Sequence, residues 1–315
     1  MRLLILGAGG VGGYFGGRLA AAGADVSFLV REPRAARLRR DGLRLRSPLG
    51  DVDVAVETVS EARPGYDAVL IACKAYDLDE AMDAVSPAVA GGATVLPLLN
   101  GLRHLDRLDA RFGRERVLGG LCHIGVTVSP EGEIDHLNLL QHLTFGARHD
   151  GQAAFCAALL PALGAGNFDL RRSERVMDDM WDKFVMLATY AGMTCLMRAP
   201  IGLIMAAADG AATMRQALWE CQAVAVASGH PPSDAFLHDA LAMLTEPGSR
   251  NASSMLRDIQ HCARTEHDHV LGDMLERGRR TGCSLPIMRL AYLSMQSYEA
   301  ERLGRGFGGT ENGSE

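Results

Sequence analysis

The sequence has no uninterrupted apolar run of about 18 residues, the length that a helix needs to span a bilayer, so we expect no transmembrane helix. The start of the chain, Met1–Leu6, leads directly into glycines and lacks the apolar length and the cleavage site of a signal peptide. Seven cysteines are scattered and none forms a C-x-x-C pair, which argues against a disulfide framework and a zinc site. These features predict a cytoplasmic protein with reduced thiols and no bound metal ion.

The charge balance argues against two classes of partner. The net charge is −6 at pH 7, and no basic patch is interleaved with aromatic residues. Nucleic acids and anionic membrane surfaces attract basic proteins instead. We therefore predict that neither a nucleic acid nor a membrane is a partner. The sequence leaves the oligomeric state open, a homodimer included.

Lysine is almost absent from the chain. Of the 32 basic residues, only Lys74 and Lys183 are lysines, and all others are arginines. Arginine carries a permanent charge, whereas the pKa of a lysine can be shifted until the side chain gives up a proton. A remaining lysine is therefore a candidate for proton transfer, although drift toward arginine could leave two lysines by chance. The positions of the two lysines decide between these interpretations.

Two kinds of pattern divide the chain. Up to about residue 172, short apolar runs alternate with helical patterns, which is typical of βαβ units and a parallel sheet. Beyond that point Met, Leu and Ala recur at helical spacing, which predicts an all-helical region. The predicted fold class is α/β, with an N-terminal Rossmann-type doubly wound sheet and an all-helical C-terminal domain. The predicted domains are 1–173, 174–303 and a disordered tail at 304–315; the predicted sheet strands are Arg2–Leu6, Asp25–Val30, Asp67–Cys73 and Ala93–Leu99, with an antiparallel extension over 117–145.

A glycine-rich loop follows the first predicted strand and precedes a predicted helix, which is the context in which the G-x-G-x-x-G motif binds dinucleotides. Its first glycine allows a tight turn, its second lets the backbone approach the pyrophosphate, and its third allows the helix to pack closely on the strand. The helix N-terminus then faces the phosphates. A plain glycine-rich turn is the weaker interpretation. The motif consists of Gly7, Ala8, Gly9, Gly10, Val11 and Gly12.

The residue after the second strand bears on the choice of cofactor. Arg31 stands about 20 residues beyond the loop, where NAD-dependent enzymes carry an acidic residue for the ribose hydroxyls. Arginine suits the 2′-phosphate of NADP, because it can donate two charge-assisted hydrogen bonds to it. Glu32 is the competing feature and would favour NAD. We predict NADP(H).

Ligands of open parallel sheets bind beyond the carboxyl ends of the strands. Gly7, Arg31, Lys74 and Asn100 each follow the end of a predicted strand. A solvated charge at Lys74 and an ordinary Asn-Gly turn at Asn100 are the alternatives. Because four suitable positions fall at one edge of the sheet, we predict a binding site there.

The second half contains four further candidates. Lys183 lies near the start of the first long helical pattern. Asn251 and Ser254 stand three residues apart in the run NASSMLRDI and would share a helix face, although both residue types also cap helices. Glu266 ends the run RTE and would otherwise be a solvated charge.

With these motifs the sequence resembles the ketopantoate reductase (2-dehydropantoate 2-reductase) family. The resemblance extends over nearly the whole chain in the family's order. It implies a Rossmann-type domain joined to a helical domain, and the NADPH-dependent reduction of 2-dehydropantoate to pantoate in pantothenate biosynthesis. The matching elements are the glycine loop, Arg31, Cys73–Ala75, Asn100 with Gly101, Trp181 with Lys183, and the runs NASSMLRDI and RTE.

The resemblance also implies roles in catalysis and substrate binding. Lys183 would be the general acid that protonates the ketone oxygen as the hydride arrives, a role that suits a positioned ammonium group. Glu266 would support Lys183 and contact the cofactor or the substrate. Asn251 and Ser254 would bind the substrate, with Ser254 near its carboxylate.

For the cofactor, the resemblance implies contacts from three more residues. Lys74 and Asn100 would contact the nicotinamide side, and Asn100 would also touch the substrate. Gly125 would supply a backbone contact. Both lysines of the chain thus fall on functional positions of the family, which favours function over drift.

The chain departs from the family at three positions that hold the substrate. Members that act on ketopantoate carry asparagines where this chain has Leu187, Ala191 and Ile201. A buried substrate hydroxyl left unpaired would cost about 1–3 kcal/mol. The leading hypothesis is the reduction of a 2-oxo acid, with 2-dehydropantoate as the first choice. The alternatives are a same-fold enzyme for a different 2-oxo or β-hydroxy acid, and a non-catalytic NADP-binding regulator, against which the retained Lys183 and Glu266 argue.

Overall fold

The computed structural model describes residues 1–305, so most of the predicted tail, 306–315, lies outside the described residues. Gly304 and Arg305, which were predicted to belong to that tail, end the last helix instead. The chain divides into two units. The first unit comprises Met1–Asn100 and His104–Met180, and the second comprises Gly101–Arg103 and the chain from Trp181 onward. The division falls within a continuous helix and not at the predicted position 173/174.

The first unit is built on a parallel sheet of five strands, which are β1 (Leu3–Leu6), β2 (Val26–Leu29), β5 (Glu57–Val59), β6 (Ala68–Ile71) and β7 (Thr94–Pro97). They lie side by side in the order β5-β2-β1-β6-β7. Strands β2, β1, β6 and β7 are mostly apolar and are buried throughout, which is typical of a parallel sheet covered on both faces. Together with the helical second unit, this sheet confirms the predicted fold class.

A second sheet of five strands lies in the same unit, where the sequence predicted only an antiparallel extension over 117–145. The strands are β3 (Leu43–Arg46), β4 (Val52–Val54), β8 (Gly119–Val128), β9 (Ile134–Gly146) and β10 (Asp169–Ser173). The long strands β8 and β9 pair in antiparallel fashion, as predicted, but β9 also pairs in parallel with β3 and β10. These parallel pairings were not predicted, because both partner strands are short and lie outside the segment 117–145.

The first helix packs between the two sheets. A Cβ atom on Gly16 would lie 2.6 Å from the ring of Phe28 in β2, and one on Gly17 would lie 2.6 Å from Leu43 in β3. The helix can therefore approach both sheets only because it lacks side chains at these positions. The helices of this unit are α1 (Gly10–Ala21), α2 (Glu32–Asp41), α3 (Leu78–Ala90), α4 (Arg103–Phe112, whose first residue is grouped with the second unit) and α5 (Ala153–Gly164), with 3₁₀ turns at Ala75–Asp77, Arg114–Arg116 and Asp150–Gln152.

The second unit is helical throughout the described residues. Its last long helix begins on a buried carboxylate, since Glu220 accepts hydrogen bonds from the backbone N–H groups of Ile287 and Met288 at 3.1 Å. Within residues 1–305, no helix is long and apolar enough to cross a membrane. The helices are α6 (Val176–Met197), α7 (Ile201–Met205), α8 (Gly210–Ala227), α9 (Asp234–Leu244), α10 (Ser254–Gln260), a π-helical turn (Asp268–Gly272), α11 (Asp273–Thr281) and α12 (Pro286–Arg305).

Candidate active site

The glycine loop joins β1 to α1 in the first unit. Gly7 adopts a left-handed conformation with φ of +89°, which favours glycine, and its N–H donates to the carbonyl of Leu29 at 3.0 Å. Gly9 is the N-cap of α1 and has no side chain that could cap the helix. The amides of the first turn therefore remain directed at whatever lies before the helix, and such amides bind phosphate groups.

Two glycines of the loop are required for different reasons. A Cβ atom on Gly12 would collide with the carbonyl oxygen of Gly7 and lie 3.3 Å from the side chains of Ile5 and Ala72, so Gly12 allows α1 to pack on the sheet. A Cβ atom on Gly9 would have no atom of the described residues within 4 Å. Nothing in the described fold therefore requires glycine at this position, and a ligand close to the backbone would require it. In dinucleotide-binding loops the second glycine lets the backbone approach the pyrophosphate in this way.

The remaining loop residues are held by their neighbours. Ala8 is buried, and its carbonyl accepts a hydrogen bond from a guanidinium N–H of Arg34 at 3.0 Å. The other end of that guanidinium donates to the carbonyl of Gly132 at 2.8 Å. Burial of Arg34 and the charge of Arg37 lower the pKa of Arg34. Arg34 thus fixes the glycine loop to the turn between β8 and β9, and the sequence carries no local signal for this role.

Gly125 lies in the hairpin of β8 and β9, beside the loop. The register of the two strands shifts between Ile124 and Val126, where Gly125 lies opposite the four unpaired residues 137–140 of β9, so the bulge is in β9. The side chain of Val126 comes within 3.0 Å of the Cβ position of Gly10. The structure therefore places Gly125 next to a residue that contacts the glycine loop. Val11, the remaining residue of that loop, is half-buried.

The four predicted strand-end residues follow the carboxyl ends of neighbouring strands. Leu6 of β1 is in register with Leu29 of β2 and Ile71 of β6, and Ile71 is in register with Pro97 of β7. The first strand ends at Leu6 as predicted, but the other three end one or two residues earlier than predicted, so short loops carry three of the residues. Gly7, Arg31, Lys74 and Asn100 stand one, two, three and three residues beyond their strands.

Arg31 is the N-cap residue of α2, and 71% of its side chain is exposed. Its guanidinium forms a two-point ion pair with Glu80 on α3, in which Nε donates to Oε1 at 3.2 Å. The hydrogen bond and the charge of Glu80 raise the pKa of Arg31. Glu32, the competing feature in the sequence, is paired with Arg39. Glu80 is the residue that sequence reasoning missed, because it is distant from Arg31 along the chain.

In the second unit, Lys183 lies half-buried on α6. Two residues earlier, the buried ring of Trp181 stacks on His230 with a centroid distance of 5.7 Å, and the guanidinium of Arg277 lies 5.6 Å from the centre of the Trp181 ring. These contacts fix the part of α6 that carries Lys183. Leu187, one turn along the helix, is half-buried as well. At the other two positions where the resemblance implies asparagine in the family, Ala191 and Ile201 are buried.

Asn251 and Ser254 do not share a helix face as predicted. Helix α10 begins at Ser254, so Asn251 lies in the preceding loop, where its carbonyl accepts from the backbone N–H of Ile201 at 3.0 Å. The N-cap is Ser253, whose hydroxyl accepts from the backbone N–H of Leu256 at 3.1 Å. The prediction of a shared helix face was wrong because the buried Ser253 caps the helix. Asn251 and Ser254 are exposed, and only Ser254 belongs to the helix.

Glu266 is half-buried at the start of the π-helical turn, and its carbonyl accepts from the backbone N–H groups of His269 and Val270 at 3.0 and 3.1 Å. Single π-helical turns are frequent at functional sites. Gly101, which follows Asn100 in the chain, is grouped with this unit and lies against the backbone of His269. Among the described residues, no group of His, Cys, Asp or Glu side chains has the arrangement of a metal site.

Known proteins resemble the chain over almost its full length. The family model "Ketopantoate reductase PanE/ApbA" matches residues 3–150, and its C-terminal counterpart matches residues 175–299. The "Uncharacterized oxidoreductase YkpB" of Bacillus subtilis (strain 168) is 36% identical over 96% of this chain and 100% of that protein. A 2-dehydropantoate 2-reductase of Pyrococcus abyssi is 27% identical over 95% of this chain and 98% of that protein.

Solved structures agree with these matches. The crystal structure of a PanE/ApbA family ketopantoate reductase from Ralstonia eutropha JMP134 superposes with a TM-score of 0.86 at 28% identity, covering 96% of this chain and all of that chain. A D-mandelate dehydrogenase with NADH and anilino(oxo)acetate has a TM-score of 0.84 at 18% identity, with coverage of 96% and 100%, and shows the fold alone. The resemblance predicted from the motifs is confirmed: the chain belongs to the ketopantoate reductase family and is an NAD(P)-dependent oxidoreductase similar to 2-dehydropantoate 2-reductase.

Proposed function

We propose that this enzyme reduces the keto group of a 2-oxo acid to a hydroxyl with NADPH, and that 2-dehydropantoate is the first substrate to test. The main observation in support of the proposal is the set of residues at one edge of the parallel sheet. Gly7, Arg31, Lys74 and Asn100 follow the carboxyl ends of four neighbouring strands, beside a helix N-terminus that lacks a cap. Such an edge binds dinucleotides in open parallel sheets.

NADPH is preferred over NADH in this proposal because of Arg31. Its guanidinium is exposed and can offer N–H donors to a 2′-phosphate, while Glu32 is engaged by Arg39. The D-mandelate dehydrogenase with NADH shows that the fold also accommodates NADH. Comparing kcat/KM for the two cofactors tests this choice, and an Arg31→Ala variant should lose the preference for NADPH. A parent enzyme that prefers NADH would contradict the role of Arg31.

Bound NADPH would supply the hydride that adds to C2 of the 2-oxo acid. As the carbonyl electron pair moves onto oxygen, negative charge develops there, and the ammonium of Lys183 would stabilise it and transfer its proton. The products are the 2-hydroxy acid, NADP⁺ and a neutral Lys183, which water reprotonates. Glu266 would hold Lys183 and contact the bound molecules, while Asn251 and Ser254 would bind the substrate.

A second candidate is the same reaction on a different 2-oxo acid or a β-hydroxy acid. It is favoured by Leu187, Ala191 and Ile201, which present apolar groups where relatives that act on ketopantoate carry amides. A panel of 2-oxo acids assayed by nicotinamide absorbance separates the two candidates. Turnover of 2-dehydropantoate with kcat/KM near 10⁵ M⁻¹s⁻¹, roughly mid-range for enzymes, would show that the three replacements do not matter.

The catalytic role is tested by Lys183→Ala. We expect the variant to bind NADPH as the parent does and to lose about 10²–10⁴-fold in kcat, the usual contribution of a positioned proton donor. Lys183→Arg is the matched control, because it keeps the charge but cannot give up a proton, and it should remain far below the parent. If Lys183→Ala reduces the substrate as fast as the parent, the mechanism is wrong. If the parent binds NADPH but turns over none of the acids, a non-catalytic NADP-binding regulator is favoured instead.

A further inference from the structure

Residues on both sides of Glu266 are hydrogen-bonded to one helix, α12. Before it in the chain, the carbonyl of Ala263 accepts from the hydroxyl of Tyr298 at 2.8 Å. After it, a carboxylate oxygen of Asp268 accepts from the hydroxyl of Tyr292 at 2.6 Å. Two tyrosines of α12 therefore hold the chain two to three residues to either side of Glu266.

The third attachment is the closest to Glu266. One carboxylate oxygen of Glu299, also on α12, accepts from both the backbone N–H of Thr265 at 2.7 Å and its hydroxyl at 2.8 Å. The other oxygen accepts from Nε of Arg302 at 2.7 Å. Thr265 directly precedes Glu266, so Glu299 fixes the peptide from which Glu266 projects.

The network around Thr265 has a defined direction. A carboxylate can only accept, so the Thr265 hydroxyl donates to Glu299 and must accept from Nδ1 of His267 at 3.0 Å. His267 is the residue that follows Glu266, and its ring is buried. The two neighbours of Glu266 in the chain are thus joined to each other and, through Thr265, to Glu299.

The surroundings of Glu299 favour the ionised form of its carboxylate. Only 12% of its side chain is exposed. Burial alone would raise its pKa, but hydrogen bonds from Thr265 and Arg302 outweigh burial and lower the pKa of Glu299. The carboxylate is therefore ionised throughout the neutral range, and it accepts all three hydrogen bonds under the conditions of the reaction.

We propose that Glu299 is a positioning residue for the reduction, which fixes the backbone of Glu266 through Thr265; the proposal rests on the role of Glu266 in the proposed function. Displacing a reacting group by about 1 Å can cost about 100-fold in rate, so loss of these hydrogen bonds should lower kcat far more than it weakens cofactor binding.

Three variants test the attachment, assayed with the 2-oxo acid that the parent reduces fastest. We expect Glu299→Ala to lower kcat by about 10-fold or more, because both hydrogen bonds from Thr265 to Glu299 are lost. Thr265→Val should have a smaller effect, since its backbone N–H still reaches Glu299. Thr265→Ser is the matched control: it keeps the hydroxyl and should restore kcat to near the parent value. The dissociation constant of NADPH should change much less than kcat in all three.

A double-mutant cycle with Glu266→Gln distinguishes positioning from general stability. If Glu299 acts through Glu266, adding Glu299→Ala to Glu266→Gln should cause little further loss of kcat. If the losses of kcat in the two single variants multiply in the double variant, the proposal for Glu299 is wrong. It is also wrong if Glu299→Ala has the kcat of the parent. Neither result would contradict the proposed function of the enzyme. Parental kcat in Glu266→Gln alone would overturn the proposed role of Glu266 and this proposal with it. Melting curves of every variant confirm that the measured enzyme is folded.

Discussion

Gly9→Ala should separate the binding of the cofactor from the stability of the fold. The added methyl group would meet no atom of the described residues within 4 Å, and the φ of −80° at Gly9 suits alanine. The same methyl group would project into the space ahead of α1, where the pyrophosphate of a dinucleotide approaches the backbone. The variant should therefore fold normally and fail to bind the cofactor.

The magnitudes follow from the position of Gly9. As an N-cap, alanine is worse than glycine by about 1 kcal/mol, while replacing glycine stabilises by about 0.4–1 kcal/mol through the unfolded chain, so the two effects nearly cancel. For the cofactor, each lost hydrogen bond between the backbone and a charged phosphate costs about 1.5–3 kcal/mol. The dissociation constant of NADPH should thus rise by roughly 10-fold to 150-fold for one lost bond.

Gly12→Ala is the matched comparison, because it adds the same methyl group to the same loop. There it would strike the carbonyl of Gly7 and press on Ile5 and Ala72, and overpacking of this kind costs about 1–3 kcal/mol. Thermal melting should therefore show a loss for Gly12→Ala and almost none for Gly9→Ala, whereas fluorescence titration with NADPH should show the large loss for Gly9→Ala. If Gly9→Ala binds NADPH within about twofold of the parent, the placement of the pyrophosphate is refuted.

Two further variants probe charges. Glu80→Gln removes the carboxylate that forms the ion pair with Arg31, so the KM for NADPH should fall by about threefold to fivefold at low salt, while the KM for NADH should not change. Asp83→Asn, one turn along α3, is the control. Equal effects of the two variants would contradict the role of Arg31 in binding the 2′-phosphate. Burial raises the pKa of Glu220, so its contribution to stability is present below its unfolded pKa of about 4.3 and is lost as pH rises through the folded value. The melting temperature of the parent should therefore fall relative to Glu220→Gln as pH rises from about 4 to 7, and a constant difference would exclude this.

The strand-end residues could be predicted from sequence because each buried strand is a short apolar run with a clear end. Once the strands are parallel, the residues after Leu6, Leu29, Ile71 and Pro97 must share one edge. The exact ends were predicted less well, because an apolar pattern indicates burial and not strand pairing. Leu98 and Leu99, for example, lie beyond the end of β7 but are still buried.

Partners that meet only in the folded chain could not be predicted. Nothing near Arg31 points to Glu80 on α3, and nothing near Thr265 points to Glu299 on α12. The capping preferences of individual residues were also insufficient to predict where α10 begins, because several polar residues there could cap the helix. Ser253 does so because its hydroxyl is buried and lies 2.8 Å from that of Thr194, a contact made by distant parts of the chain.

The structure gives physical reasons for the scarcity of lysine. Arg148 is buried and donates to both carboxylate oxygens of Asp109 at 2.6 and 2.7 Å, and Arg34 donates to two backbone carbonyls at once. Both tasks need several donors in one plane, which lysine lacks. In the proposed reaction the requirement at Lys183 is the opposite, because a guanidinium would stabilise the developing oxyanion but would not release its proton. If Lys183→Arg kept the parental kcat, charge alone would account for this position, and the choice of lysine over arginine would have no catalytic meaning.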